Sequence, residues 1–256
     1  MRLRVLGCHG GESPSHRTSC FAIDEKLLLD AGSVTRSLSL IEQSNIDYIY
    51  LSHSHIDHVK GLPLLLDNVI ANRNKPVTMI ATAGTEAALS QHLFNGLLWP
   101  DFSKIPTCEN PILRIRIITP REIFTLDGGF ELLAIPVHHS IECHGIIVNT
   151  KSGAIAYTGD TGPTDEFWQV ASSHPKLRAV ICEVSFTNEM EKLAGLSGHL
   201  TPKMLANELT KFKPQNNTPI FITHMKPGLD DSLKAQLAEL NDARIKILHL
   251  LDEINI

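Results

Sequence analysis

Apolar residues along this chain fall into short runs broken by Gly, Pro, Asp and Asn, and the spacing within each run predicts local structure. Residues 3–6, 20–23, 27–30 and 48–51 are brief runs rich in leucine or β-branched residues. They are too short for helices and predict β-strands. Between the last two, residues 37–43 read as a helix. Beyond Gly61, the residues Leu62, Leu65, Leu66, Val69 and Ile70 fall at helical spacing on one face. Residues 77–81 predict another strand, and Thr82 or Thr85 can cap a helix that runs to about Leu93.

Residues 96–112 carry Pro100, Pro106 and Pro111 and read as a connecting loop or flap. The second half repeats the style of the first. Strands are predicted at 113–118, 130–137, 145–149, 154–157, 179–182 and 220–223, and helices at 164–172, 202–212 and 232–240. Thr201-Pro202 is a good helix start, because threonine caps and proline fits the first turn. Strands precede helices in both halves, so the expected packing is an α+β fold, an αββα sandwich of two sheets with outer helices. No Gly/Ser/Pro-rich linker, repeat or low-complexity segment divides the chain, and residues 1–256 are expected to be a single domain.

Composition adds exclusions. The 256 residues are 43% hydrophobic, enough for a large core. Lys+Arg 23 against Asp+Glu 28 gives a net charge of −5, which disfavours a general nucleic-acid partner. The start, MRLRVLGCHGGESPSHR, lacks the apolar stretch of about 7–15 residues that a secretory signal needs. No run reaches the roughly 20 apolar residues of a membrane span, so no membrane partner is expected. Cys8, Cys20, Cys108, Cys143 and Cys182 are scattered, without a CxxC pair. They read as small buried hydrophobes in a reducing compartment, and the expected location is the cytoplasm. The unusual count is 13 His, against 3 Tyr and 2 Trp. Histidine is the commonest metal ligand.

Chemistry concentrates in Leu51-Ser52-His53-Ser54-His55-Ile56-Asp57-His58-Val59-Lys60-Gly61, directly after a predicted strand. In an extended segment His53, His55 and Asp57 project to one side and His58 to the other. A strand that breaks into a loop can thus aim one pair of ligands at one metal ion and the second pair at a neighbour. A mixed His/Asp set suits zinc, iron and similar ions and leaves an open coordination position. Further ligands are expected at other strand ends. The candidates are His138 and His139 after residues 135–137, Asp160 within Tyr157-Thr158-Gly159-Asp160-Thr161-Gly162, and His224 after residues 221–223.

With those residues in view, the chain resembles the metallo-β-lactamase superfamily. The segment HSHIDH at 53–58 matches the family's HxHxDH motif, and the later His, Asp and His follow in its order. The resemblance spans essentially the whole chain and implies the family fold, two mixed β-sheets flanked by helices. It implies one metal held by His53, His55 and His139, a second held by Asp57, His58 and His224, and Asp160 bridging. His139 is preferred to His138 because it stands six residues before Gly145, a spacing similar to the phosphodiesterase branches.

A second set of motifs narrows the branch. Glu183-Val184-Ser185-Phe186, Gly195-Leu196-Ser197-Gly198-His199-Leu200-Thr201-Pro202 and Thr223-His224-Met225-Lys226-Pro227 are similar to class II cyclic-nucleotide phosphodiesterases. HSHIDHVKGLPLLL also looks like that family's signature, with Ile56 where leucine is usual. The related tRNA 3′-processing endonucleases place a histidine at the equivalent of His199 and an acidic residue at that of Glu183. Their tRNA-gripping arm has no counterpart here.

The resemblance implies a hydrolase acting on 3′,5′-cyclic nucleotides such as cAMP or cGMP through a hydroxide shared by two divalent metal ions. Zinc is expected first, and the same ligands admit manganese or iron. Two ions about 3.5–4 Å apart can lower a shared water's pKa from 15.7 to roughly 7. His199, oriented by Glu183, is the candidate donor of a proton to the departing 3′-oxygen, and Asp57 is a candidate for orienting the nucleophile. The alternatives are a hydrolase of RNA 3′ ends, thioesters or lactones on the same fold, and a non-enzymatic metal sensor. The expected partner is a small phosphodiester, with a homodimer suggested by relatives. The Gly7–Gly11 loop and Ser13–Thr18, with His16 and Arg17, either contact the substrate or are solvated turns. Lys226 is a candidate for holding a phosphate charge.

Overall fold

A computed structural model describes residues 1–214 and 216–256. The first half supplies β1 (Arg2–Gly7), β2 (Cys20–Ile23), β3 (Leu27–Leu29), β4 (Tyr48–Tyr50), β5 (Val77–Ala81) and β6 (Leu113–Ile117). The second supplies β7 (Ile123–Leu126), β8 (Phe130–Val137), β9 (Cys143–Asn149), β10 (Ala154–Tyr157), β11 (Leu177–Glu183), β12 (Ile220–Thr223) and β13 (Ile245–Ile247). The last strand, β14 (Glu253–Asn255), returns to the first half, so the two 7-stranded sheets read β14-β1-β2-β3-β4-β5-β6 and β13-β12-β11-β10-β9-β8-β7. Both are mixed. Pairing is antiparallel from β14 through β3 and parallel from β3 to β6, then antiparallel from β7 to β10 and parallel from β10 to β13.

Strand periodicity sorts the side chains into layers. Leu3, Val5, Phe21, Ile23, Leu27, Leu29 and Tyr50 meet Leu132, Ile146, Val148, Ile155, Tyr157 and Ile181 in one central core between the sheets. Their neighbours in sequence point the other way. Ala22, Leu28, Ile49 and Met79 face α1 (Val34–Ser37), α4 (Gly61–Val69) and α5 (Ala83–His92) in a second core. Ala154, Ala156, Val180 and Cys182 face α6 (Glu166–Ser173), α8 (Pro202–Leu209) and α9 (Asp230–Glu239) in a third. The order of layers is helix, sheet, sheet, helix, as the pattern predicted. Strands covered on both faces explain why these runs are continuously apolar.

The differences are local and have physical causes. The helix expected over 37–43 is two, α1 and α2 (Leu40–Asn45), because Ser39 and Glu42 form a capping box that starts a new helix. Residues 56–59, expected to be extended, make the single turn α3 (Ile56–Val59). The strands β7, β13 and β14 were not predicted; they lie at sheet edges with half-exposed or exposed residues and carry little apolar signal. A helix before His199, α7 (Glu191–Ser197), was also missed. The Cys residues are all unpaired, and Cys108 is exposed rather than buried. Among the described residues no helix is long and apolar enough to cross a membrane.

Gly145, where a strand was predicted to begin, lies inside β9, and space there is tight. A Cβ there would sit 2.8 Å from the Phe167 ring and 2.9 Å from the Tyr157 carbonyl oxygen. Overpacking of this kind costs about 1–3 kcal/mol. Gly145→Ala is therefore expected to lower the urea midpoint by that amount at unchanged m-value, and an unaltered midpoint would contradict this packing.

Candidate metal centre

The carboxyl ends of β3, β4, β8, β10, β11 and β12 deliver Asp30, His53, His55, His139, Asp160, Glu183 and His224 to one edge of the sandwich. After β4 the chain bends at Ser52, reaches His55 in extended conformation and turns into α3. That turn separates the donors: His53 and His55 face His139, while Asp57 and His58 face His224. An extended run would have put Asp57 beside His53 and His55; the helical turn carries it to the other group.

Distances within each group are short. His53 Nε2 and His55 Nδ1 are 3.0 Å apart, and His139 Nε2 lies 3.1 Å from the same His55 nitrogen. In the other group His58 Nε2 is 3.3 Å from His224 Nε2, which is 3.4 Å from Asp57 Oδ2. Asp160 Oδ2 stands between the groups, 3.3 Å from both His58 and His224, 3.8 Å from His53 and 4.0 Å from His139. A tetrahedral ion with bonds of about 2.0–2.2 Å sets its donors about 3.3 Å apart.

The far ring nitrogens decide what fills these gaps. His58 Nδ1 donates to Asp30 Oδ2 at 2.7 Å, and His139 Nδ1 donates to the Gly198 carbonyl at 2.9 Å. Ser185 Oγ donates to Glu183 at 2.7 Å and therefore accepts from His224 Nδ1 at 2.9 Å. Each of these rings holds its proton on the outside, so the Nε2 atoms that face one another carry lone pairs. Lone pairs converging at 3.3 Å, with Asp160 Oδ1 buried and without a hydrogen-bond partner, fit cations. Electrostatics agree. Burial pushes the His53 imidazole well below its usual pKa, keeping it neutral. Burial opposes ionisation of Asp57, yet the His224 and His58 rings hold it well below the carboxylate range. Burial likewise opposes a charge on His58, but Asp160 and Asp30 raise it well above the imidazole range, so these carboxylates favour positive charge here, a proton on Nε2 being what a bound ion would displace.

Backbone conformations that side chains rarely adopt hold two of the candidate ligands. His224 itself has φ 68°. Its ring lies on Gly10, where a Cβ would come within 2.7 Å of Nδ1. Gly198, at φ 70° after α7, lets its carbonyl reach His139, whose Cα would be 2.7 Å from any Cβ there. His199 follows. Its Nδ1 donates to Glu183 Oε1 at 2.8 Å, and its ring stacks on His224 at 5.4 Å and 18°. Glu183, fully buried, also accepts from the Thr161 amide. Burial lowers the His199 pKa, but Glu183 outweighs it and the net shift is upward.

Other candidates lie elsewhere. His138 stays outside the cluster, and its carbonyl accepts from the Gly162 amide. Arg17 donates to Ser37 Oγ, and Lys226 Nζ donates to the Gly10 carbonyl at 2.7 Å, so both fasten the N-terminal loop. His9, His16 and Asp230 form a third group of ligand type. His16 pairs there with Asp230 at 3.3 Å, and His9 Nδ1 already accepts from the Arg17 amide, which ties the loop to α9. Sequence reasoning missed Asp30, Ser52, Ser185 and Tyr157. Asp30 accepts from the Ser52 amide, Ser52 Oγ, His58 and the Tyr157 hydroxyl. Its one signal was a charged residue closing a leucine run.

Comparison with known proteins bears on the family and the fold. The family described as "Beta-lactamase superfamily domain" matches residues 26–225. A protein of Aliivibrio fischeri named 3′,5′-cyclic-nucleotide phosphodiesterase is 27% identical over 95% of this chain and 88% of its own. One of Yersinia pestis, named as a probable 3′,5′-cyclic-nucleotide phosphodiesterase, is 28% identical over 95% and 85%. Among solved structures, unliganded yeast PDE1 superposes with a TM-score of 0.81 at 20% identity, covering 98% of each chain. At that identity the likeness is one of fold, and it agrees with the αββα arrangement.

Outer partners of metal-binding histidines are typically worth 10–100-fold in affinity. Asp30→Asn, which keeps the shape but loses the charge facing His58, is expected to weaken metal binding by that factor in chelator competition, with near-UV circular dichroism retained. Unchanged affinity would deny Asp30 any part in the centre.

Proposed function

The chain belongs to the β-lactamase superfamily, and from that membership and its donor arrangement we propose that residues 1–256 form a single metal-dependent hydrolase domain that cleaves 3′,5′-cyclic nucleotides. His53, His55 and His139 would hold one divalent ion, Asp57, His58 and His224 the other, with Asp160 shared. Such ions, zinc first among them, supply Lewis acidity toward the phosphate and lower the pKa of a water nucleophile.

The rest is done by side chains. Glu183 fixes His199 with its Nδ1 proton outward, so Nε2 is the atom that gives a proton to the departing 3′-oxygen. Ser185 joins Glu183, His199 and His224 through one hydroxyl, which keeps the acid and the neighbouring ligand in register. Asp57 contacts His224 through Oδ2, and its other oxygen orients the attacking water.

The observation that carries the reading is the His199–Glu183 pair stacked against His224. A poor leaving group such as a sugar alkoxide needs that acid, whereas a thiolate departs without one. Two relatives named as cyclic-nucleotide phosphodiesterases over nearly the whole chain support the same substrate class. The net charge of −5 favours a small substrate over a polynucleotide.

Metal-loaded protein is expected to hydrolyse cyclic AMP faster than a thioester or an RNA 3′ extension; the reverse order would refute the assignment. A positioned acid is worth about 10²–10⁴ in rate. His199→Ala should lose that factor on cyclic AMP, retain both metals, and lose far less on bis-p-nitrophenyl phosphate, whose leaving group needs no proton. Equal losses on both substrates would remove His199 as the acid. Asp160→Ala is expected to drop metal content below two ions per chain by elemental analysis, and full occupancy would end its bridging role.

A further inference from the structure

Among the described residues, the 9 Phe, 3 Tyr and 2 Trp divide unequally. All but one lie in, or pack against, one of the three apolar cores; Phe186 belongs to none of them. It stands three residues beyond Glu183, half-buried, where the chain leaves β11. Its ring centroid is 5.6 Å from that of His199, edge to face at 70°, and Lys226 Nζ lies 6.0 Å from its centre. The rings of His224, His199 and Phe186 thus form a row running outward from the candidate metal centre.

An aromatic ring with no core to fill, partly open to solvent beside the group that protonates a leaving oxygen, is placed to meet what that oxygen is attached to. Exposed apolar residues also stand close in sequence to the candidate site residues. Ile56 sits between His55 and Asp57, Ile141 lies two residues after His139, and Leu196 lies three before His199; all three are exposed. A site that reads only phosphate has no use for an unpacked aromatic ring, and Lys226, beside Phe186, is engaged with the Gly10 carbonyl.

We propose that Phe186 is the specificity-determining platform on which the substrate's nucleobase stacks, while the phosphate occupies the metal centre. This rests on the cyclic-nucleotide reading above and extends it to the base. The ring offers a π-face and no hydrogen-bond pattern, so it favours a base over no base without choosing strongly among bases. Stacking on an aromatic side chain is worth about 5- to 150-fold in binding by alanine substitution. It is made equally in the ground state and the transition state, so its loss raises KM and leaves kcat.

The test crosses the protein change with removal of the base. Wild-type and Phe186→Ala holoenzymes are assayed on cyclic AMP and on 1-O-methylribose 3′,5′-cyclic phosphate, which has the same phosphodiester and no base. The expected result is a KM for cyclic AMP raised at least about fivefold in the variant, with kcat within about threefold. Kinetics on the base-free substrate should be unchanged, and Phe186→Trp should restore the cyclic AMP KM. Equal losses on both substrates would mean that Phe186 supports the acid rather than the base and would overturn the proposal. No change on either substrate would overturn it as well. If the wild type, with two metals bound, hydrolyses neither cyclic phosphate, the cyclic-nucleotide reading itself falls and this inference with it.

Discussion

A single buried carboxylate holds this molecule's two halves in the arrangement that its chemistry needs. Asp30 closes β3 in a left-handed conformation, φ 57°, and is fully buried. A lone carboxylate so placed costs several kcal/mol, so it must be met by donors. They come from both sheets: Ser52 and His58 from the loop after β4, and the Tyr157 hydroxyl from β10 of the facing sheet. Charged hydrogen bonds of this kind are worth about 1.5–3 kcal/mol each. The same contacts that satisfy Asp30 also fix the His58 tautomer and bring the end of β4 to the end of β10, where Asp160 follows.

Glu183 repeats the arrangement in the second sheet. It is buried at the end of β11, accepts from Thr161, Ser185 and His199, and through Ser185 reaches His224. The candidate ligands are thus supported by buried carboxylates that stand outside the donor groups. The strained backbone at His224, of a kind costing about 1–3 kcal/mol, persists because the Cys8 carbonyl takes its amide and Gly10 leaves room for its ring.

Much of this was legible in the amino-acid order, for reasons that differ by element. Strands buried on both faces, such as β2, β5 and β10, write themselves as apolar runs, and ligands placed just beyond them stand out as polar letters after the run. His53, His55, Asp160 and His224 were visible for that reason. The pairing of Asp57 with His58 was stated from the two-and-two spacing and the resemblance, but the one-turn helix that produces it was not, being too short to have a period. Asp30 was invisible because a charge after three leucines looks like an ordinary strand end, and only the burial of its carboxylate marks it. Edge strands β7, β13 and β14 alternate too weakly to be read, and Ser185 is one hydroxyl among many until its three partners are seen.

The centre is assembled from parts far apart along the chain. His58 and His224 are 166 residues apart, and Asp30 and Tyr157 are 127 apart. Contacts of such separation form only after the intervening loops have closed, late in folding. A chain leaving the ribosome displays the His53–His58 segment long before β12 exists. Until the second sheet docks, that segment stands without Asp160, His199 and His224 beside it. The proposed hydrolysis would therefore arrive only with the last strands, and a half-made or misfolded chain would carry the motif at 53–58 without it.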